Sequence, residues 1–104
     1  MQTLWQVLSN AGVELVLNGH EHNYERFAEM NASGAASSPG MREFVVGTGG
    51  QSHYSFGTAL STSQVRNSTA FGVLKLTLRS NGYDWQFVPV AGATFTDSGS
   101  GNCH

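Results

Sequence analysis

Two histidines two residues apart, His20 and His22 in the run Gly19-His20-Glu21-His22, are the side chains of this sequence with the clearest chemistry. Neutral imidazole is a ligand for zinc and other divalent transition metals. A tight turn after Gly19 would let both rings point into one cleft and reach one metal or two adjacent ones. A ligating histidine normally donates its second ring N–H to an acceptor, for which Glu21, Glu25 and nearby carbonyls are candidates. The pair alone also fits two surface histidines with no ligand role, so its setting decides.

That setting is the end of a strand. Met1, Leu4, Trp5 and Leu8 follow the i, i+3, i+4, i+7 spacing of an amphipathic helix, and Gly12 stands where a left-handed residue would close it. Val13-Glu14-Leu15-Val16-Leu17 predicts a short buried strand, broken by Asn18-Gly19. Helix, strand and turn in that order put His20 at the carboxyl end of the strand, where ligands bind in open α/β sheets. From Ala28 to Met41 the small and polar residues predict a mobile connecting loop. Phe44-Val45-Val46 predicts a second strand, ended by Gly47-Thr48-Gly49-Gly50, and residues 51–69 show no period and are expected to be loop. The strongest local signal is the alternation from Phe71 to Arg79 and from Tyr83 to Val90 around Ser80-Asn81-Gly82. It predicts a β-hairpin with one buried face and with Lys75, Thr77 and Arg79 outside. The polar tail from Asp97 onward is expected to be mobile unless docked.

Length and composition narrow the function classes. A chain of 104 residues is one domain or part of one, with a thin core. An apolar share of 39% together with 13 glycines argues against wholesale disorder. Charged residues are only 12% and the net charge is −2, so self-repulsion is small and association of copies is favoured. With 5 basic against 7 acidic residues and no basic run, nothing marks a nucleic-acid surface. No apolar run is long enough to span a membrane. The lone cysteine, Cys103, forms no internal disulfide. The opening MQTLWQVLSN lacks the features of a signal peptide, so localisation is left open and any export signal would lie upstream. Asn31-Ala32-Ser33 and Asn67-Ser68-Thr69 match the glycosylation tripeptide and read as chance matches.

The wider run Gly19-His20-Glu21-His22-Asn23-Tyr24-Glu25-Arg26, after an apolar strand, resembles the GHxHxYER segment of calcineurin-like metallophosphoesterases, in the branch that includes purple acid phosphatases. Phe44-Val45-Val46-Gly47-Thr48-Gly49-Gly50 is similar to the strand and Gly-rich turn that follow in those enzymes, and the closing hairpin and tail resemble their C-terminal end. By that resemblance His20 and His22 match ligands of a binuclear centre, one for each metal. Such centres polarise a phosphoryl oxygen and activate water for in-line attack on a phosphate ester. Zinc is the first expectation for the metal, with iron or manganese as alternatives. Tyr24 and Arg26 match the YER portion, with Arg26 a candidate for substrate contact and bracing of the loop as the plainer role.

The departures matter as much. The family's aspartate–histidine pair, GDxxD or GDxxY segment, GNH segment and further histidine have no counterpart here. Two histidines cannot fill two coordination spheres. The start at Met1 suggests either the C-terminal part of a larger protein or a short reading frame of its own. A second copy about a twofold axis would raise the imidazole count to four, enough for one tetrahedral ion. His53 is a further candidate ligand, with an ordinary loop histidine the plainer reading, and His104 beside Cys103 a weaker one. Gly47-Thr48-Gly49-Gly50 is expected to let the backbone pass close to the metal site. The sequence thus predicts a single partial domain over 1–104, α/β and strand-dominated. Its elements are a leading helix, a buried strand ending at the metal motif and a C-terminal antiparallel hairpin. The expected activity is metal-dependent hydrolysis of phosphate esters, with a homo-oligomer, a dimer first, completing the site. The alternative is a non-catalytic, metal-binding or self-associating piece of a larger phosphoesterase.

Overall fold

The computed structural model describes residues 2–50 and 58–104. Within them lie α1 (Gln2–Asn10) and the strands β1 (Leu15–Asn18), β2 (Tyr24–Phe27), β3 (Arg42–Val46), β4 (Ser63–Asn67), β5 (Gly72–Arg79), β6 (Gly82–Pro89) and β7 (Ser98–Asn102). They form two sheets, one ordered β1-β3-β2-β4 and the other β5-β6-β7. β1 runs parallel to β3, and every other pairing is antiparallel. The architecture is strand-dominated, with the one described helix on the outer face of the first sheet.

The hairpin β5–β6 follows from its alternation. Leu74, Leu76 and Leu78 pair with Phe87, Trp85 and Tyr83 on one face, while Lys75 and Thr77 pair with Gln86 and Asp84 on the other. Tyr83, Trp85 and Phe87 are buried against Tyr24 and Phe44 of the first sheet, and these five side chains with Ala70 make the core. Tyr24 meets Phe87 at 4.9 Å and Phe44 meets Trp85 at 5.4 Å between ring centroids, in tilted and edge-on arrangements that add about 0.5–1.5 kcal/mol per pair beyond burial. The turn differs from the expected Asn-Gly type. Ser80 and Asn81 connect the strands, and neither has the positive φ that a type I′ turn requires.

The helix closes where Gly12 predicts. Gly12 takes φ 77°, its N–H bonds to the Ser9 carbonyl, and the Val13 N–H reaches back to the Leu8 carbonyl. Both bonds are those of a Schellman cap. Drawing Val13 into that cap delays the strand, so β1 begins at Leu15 and not at Val13.

Three expectations are corrected, for β1, residues 63–67 and the loop 28–41, and the tail takes its docked alternative. β1 is an edge strand and not a buried one: its only described neighbour is β3, and Leu17 is 53% exposed. Residues 63–67 form β4 despite their weak pattern, because β2 offers them a free antiparallel edge. The tail docks as β7, where Gly99 lies under the Trp85 ring and Gly101 under Tyr83. Added side chains there would overlap the rings, so glycine is what lets this strand close over the aromatics. The loop 28–41 is also tied down. Met30 and Met41 are buried and exchange two backbone bonds, of 2.8 and 2.9 Å, and the Asn31 carboxamide accepts the Ser33 and Ala35 N–H groups.

The edge on β1 has a consequence. The Arg42 N–H bonds to the Glu14 carbonyl, so Glu14, Val16 and Asn18 turn their backbone groups to β3. Leu15 and Leu17 turn theirs outward. Leu17 also shares an apolar groove with Val46, Leu74 and Leu76, between the open sides of the two sheets. A free strand edge beside apolar side chains is a template for association. Light scattering on concentrated chain is expected to show species larger than the monomer. Leu17→Lys should shift that population toward the monomer, and an unchanged size distribution would count against this edge.

Candidate functional site

The carboxyl end of β1 delivers the chain into a loop of unusual tightness. The Glu21 N–H bonds to the Gly19 carbonyl at 2.9 Å and the Asn23 N–H to the Glu21 carbonyl at 2.8 Å, two successive i→i+2 turns. His20 is central to the first and takes φ 72°. This is the φ of the rarer, strained form of the γ-turn, and such strain gathers at functional positions. His20 and Glu21 are exposed, His22 is half-buried and Asn23 is buried.

The loop is held from the side by β3. The Gly47 N–H donates to the Asn23 carbonyl at 2.9 Å. A β-carbon on Gly47 would stand 1.9 Å from the Glu21 carbonyl oxygen and 3.3 Å from the His22 Cα. Glycine therefore permits the backbone of the histidine loop to lie directly on the end of β3. Thr48, fully buried, continues the anchorage: its hydroxyl donates to the Gly72 carbonyl at 2.9 Å, and the Gly72 N–H returns a bond of 3.0 Å to the Thr48 carbonyl. One short segment thus joins the histidine loop, the first sheet and the start of β5.

Arg26 is placed inside the body. Its Nε donates to Asp97 Oδ2 at 2.7 Å and its Nη2 to Asp97 Oδ1 at 3.2 Å, its Nη1 donates to Gln64, and its guanidinium lies 5.1 Å from the Trp85 ring centroid. Those partners fix it as a brace of β2. The Tyr24 hydroxyl donates to the same Asp97 oxygen at 2.6 Å. Burial would push the Asp97 carboxyl up, but the bonds from Arg26 and Tyr24 outweigh burial and hold it below the usual carboxylate range. Burial first, and then the Asp97 carboxylate, push the Tyr24 hydroxyl above its usual range.

The remaining candidates separate. Glu25 faces Arg66 across the β2–β4 pair, 3.6 Å between Oε2 and Nε. His104 pairs with Glu14, ahead of the amino end of β1 and so at the opposite end of that strand from His20. His53 lies outside the described residues. Among the described residues no three His, Cys, Asp or Glu side chains gather to hold a metal ion. The loop carries two imidazoles where a tetrahedral zinc takes four donors, so the described residues do not complete a coordination sphere. No helix among the described residues is long and apolar enough to cross a membrane.

Asp97 carried no signal on its own in the sequence, since it stands in a run of small polar residues. The available clue was scarcity: in a chain with 7 acidic residues, one placed two positions after Phe95 is a candidate partner for a buried arginine. Compared with known proteins, the chain matches no family model, no curated protein and no solved structure.

Proposed function

We propose that this chain is the metal-binding C-terminal part of a metallophosphoesterase-like sandwich, with His20 and His22 as donors to a centre that acts on phosphate esters. The observation that carries this is the strained His20 turn, pinned on Gly47 at the carboxyl end of β1. Positive φ is uncommon at a residue other than glycine, and the glycine shelf beneath holds the loop in that conformation. The GHxHxYER resemblance supports the choice of phosphate esters, and Arg26 belongs to the brace of the site in this proposal. A bound divalent ion would supply polarisation of a phosphoryl oxygen and a more acidic water. The chain's part is to present exposed His20 and half-buried His22 from a loop whose backbone is fixed on both sides.

The missing donors constrain how a second copy could serve. Two copies paired through the free edge of β1 about a twofold axis would run antiparallel. At about 3.3 Å per residue their histidine loops would end roughly 20 Å apart. A copy that completes the site must instead approach end-on, loop against loop. A second possibility is a metal-binding module without turnover, since a site closed by four imidazoles would be structural.

Metal content per chain, measured with solution size, separates these. One ion per two chains with chelator-sensitive hydrolysis of an activated phosphodiester, lost in both His20→Ala and His22→Ala, is the expected result. Bound metal without turnover favours the module. No metal in the wild type, or activity indifferent to both substitutions, overturns the proposal.

A further inference from the structure

The histidine loop has a second support that its sequence does not announce. We infer that Asp97 is the positioning residue of this loop: by holding the Tyr24 hydroxyl and the Arg26 guanidinium it fixes the start of β2, and with it the place of His22. The inference rests on His22 being a metal donor, as proposed above, only for its effect on metal binding.

The chain of contacts is short and continuous. His22 precedes Tyr24 by two residues, and the intervening Asn23 has its carbonyl tied to Gly47. The Tyr24 ring is fully buried between Phe87 and Phe95, with centroids at 4.9 and 5.7 Å, so its only freedom is at the hydroxyl end. Asp97 takes that end. Asp97 is itself immobilised, because its carbonyl accepts the Phe87 N–H at 2.7 Å while the neighbouring Thr96 hydroxyl donates to the Phe87 carbonyl at 2.8 Å. The second sheet therefore holds β2 in register through one carboxylate, and Gly47 holds the loop from the first sheet.

Packing alone would not call for a charge there. A buried ion pair is often matched or bettered in stability by apolar side chains of the same volume. What the pair adds is direction: a carboxylate accepting from Tyr24 and, on both oxygens, from Arg26 admits one placement of β2 along its length, where an apolar contact admits several. That requirement is strictest at the end of β2 that carries the metal donors.

The test uses isotope-labelled full chain and NMR, with zinc chloride as the probe. Asp97→Asn is expected to keep the core signals of β5 and β6 while residues 20–23 gain fast motion, and to raise the zinc concentration that half-shifts the His22 ring signals at least about five-fold. Tyr24→Phe, which retains the ring, should move both readouts the same way by less. The exposed loop 31–36 is the internal control and should not respond. Wild-type motion at 20–23 in both variants, whatever their stability, overturns the positioning role. A wild-type chain whose histidine signals ignore zinc sinks the metal proposal alone, and the contrast in loop motion then decides this one.

Discussion

Replacing Gly47 by alanine is expected to cost about 3 kcal/mol of stability and to dislodge the histidine loop. The added β-carbon would stand 1.9 Å from the Glu21 carbonyl oxygen and 2.8 Å from its carbon. Those atoms are backbone, so no rotamer change relieves the overlap, and the loop must lift by more than an ångström. Overpacking of this kind costs about 1–3 kcal/mol. Lifting the loop also breaks the bond from the Gly47 N–H to the Asn23 carbonyl, worth about 1 kcal/mol more. Urea denaturation measures the loss, and the ring signals of His20 and His22 report the displacement. Gly49→Ala is the control: a β-carbon there meets nothing within 4 Å among the described residues, and stability should change by less than about 0.5 kcal/mol. Equal stability of the two variants would remove Gly47 as the shelf of the loop.

Legibility in the sequence tracked how local each cause was. The β5–β6 hairpin was readable because its period is carried by consecutive residues, Leu74 to Leu78 and Tyr83 to Phe87, and needs no partner to be seen. The Gly12 cap was readable for the same reason: a Schellman closure is decided within one turn. β4 and β7 were not, because Ser63-Gln64-Val65-Arg66-Asn67 and Ser98-Gly99-Ser100-Gly101-Asn102 are strands only by virtue of the edges that receive them. In β7 the deciding contacts are two aromatic rings lying over glycines, and composition alone presents those glycines as flexibility.

The candidate site divides along the same line. His20 and His22 announce themselves by type and spacing, and the role of Gly47 follows from its place after an apolar strand. That β1 is an edge strand was hidden, since Val13-Glu14-Leu15-Val16-Leu17 is as apolar as a strand with neighbours on both sides. The partner of Tyr24 and Arg26 was hidden more deeply. Asp97 lies 71 residues beyond Arg26, and beyond the scarcity of acidic residues no local pattern indicates that it folds back under β2. Long-range polar pairing leaves no period in a sequence.

That pairing sets the second large effect. Arg26→Met is expected to destabilise the chain by about 1.5–3 kcal/mol at neutral pH, because it leaves a part-buried carboxylate without its cation. The side chains of Arg26 and Asp97 are only 15% and 9% exposed, so water does little to compensate. Against a typical domain stability of about 5–15 kcal/mol this is a large share. The pH dependence carries a definite sign. The folded state holds the Asp97 carboxyl below its usual range, so its contribution is fully present above the unfolded value of about 3.9 and is lost as pH falls through the folded one. Methionine cannot make that contribution at any pH. The gap between wild type and Arg26→Met is therefore widest at pH 7 and narrows toward pH 3, as the variant's unpaired carboxyl and then the wild-type one take up a proton. Urea midpoints at pH 7, 5 and 3 test this, and a gap that stays constant across the three would mean that Arg26 braces β2 by packing on Trp85 and not through its charge.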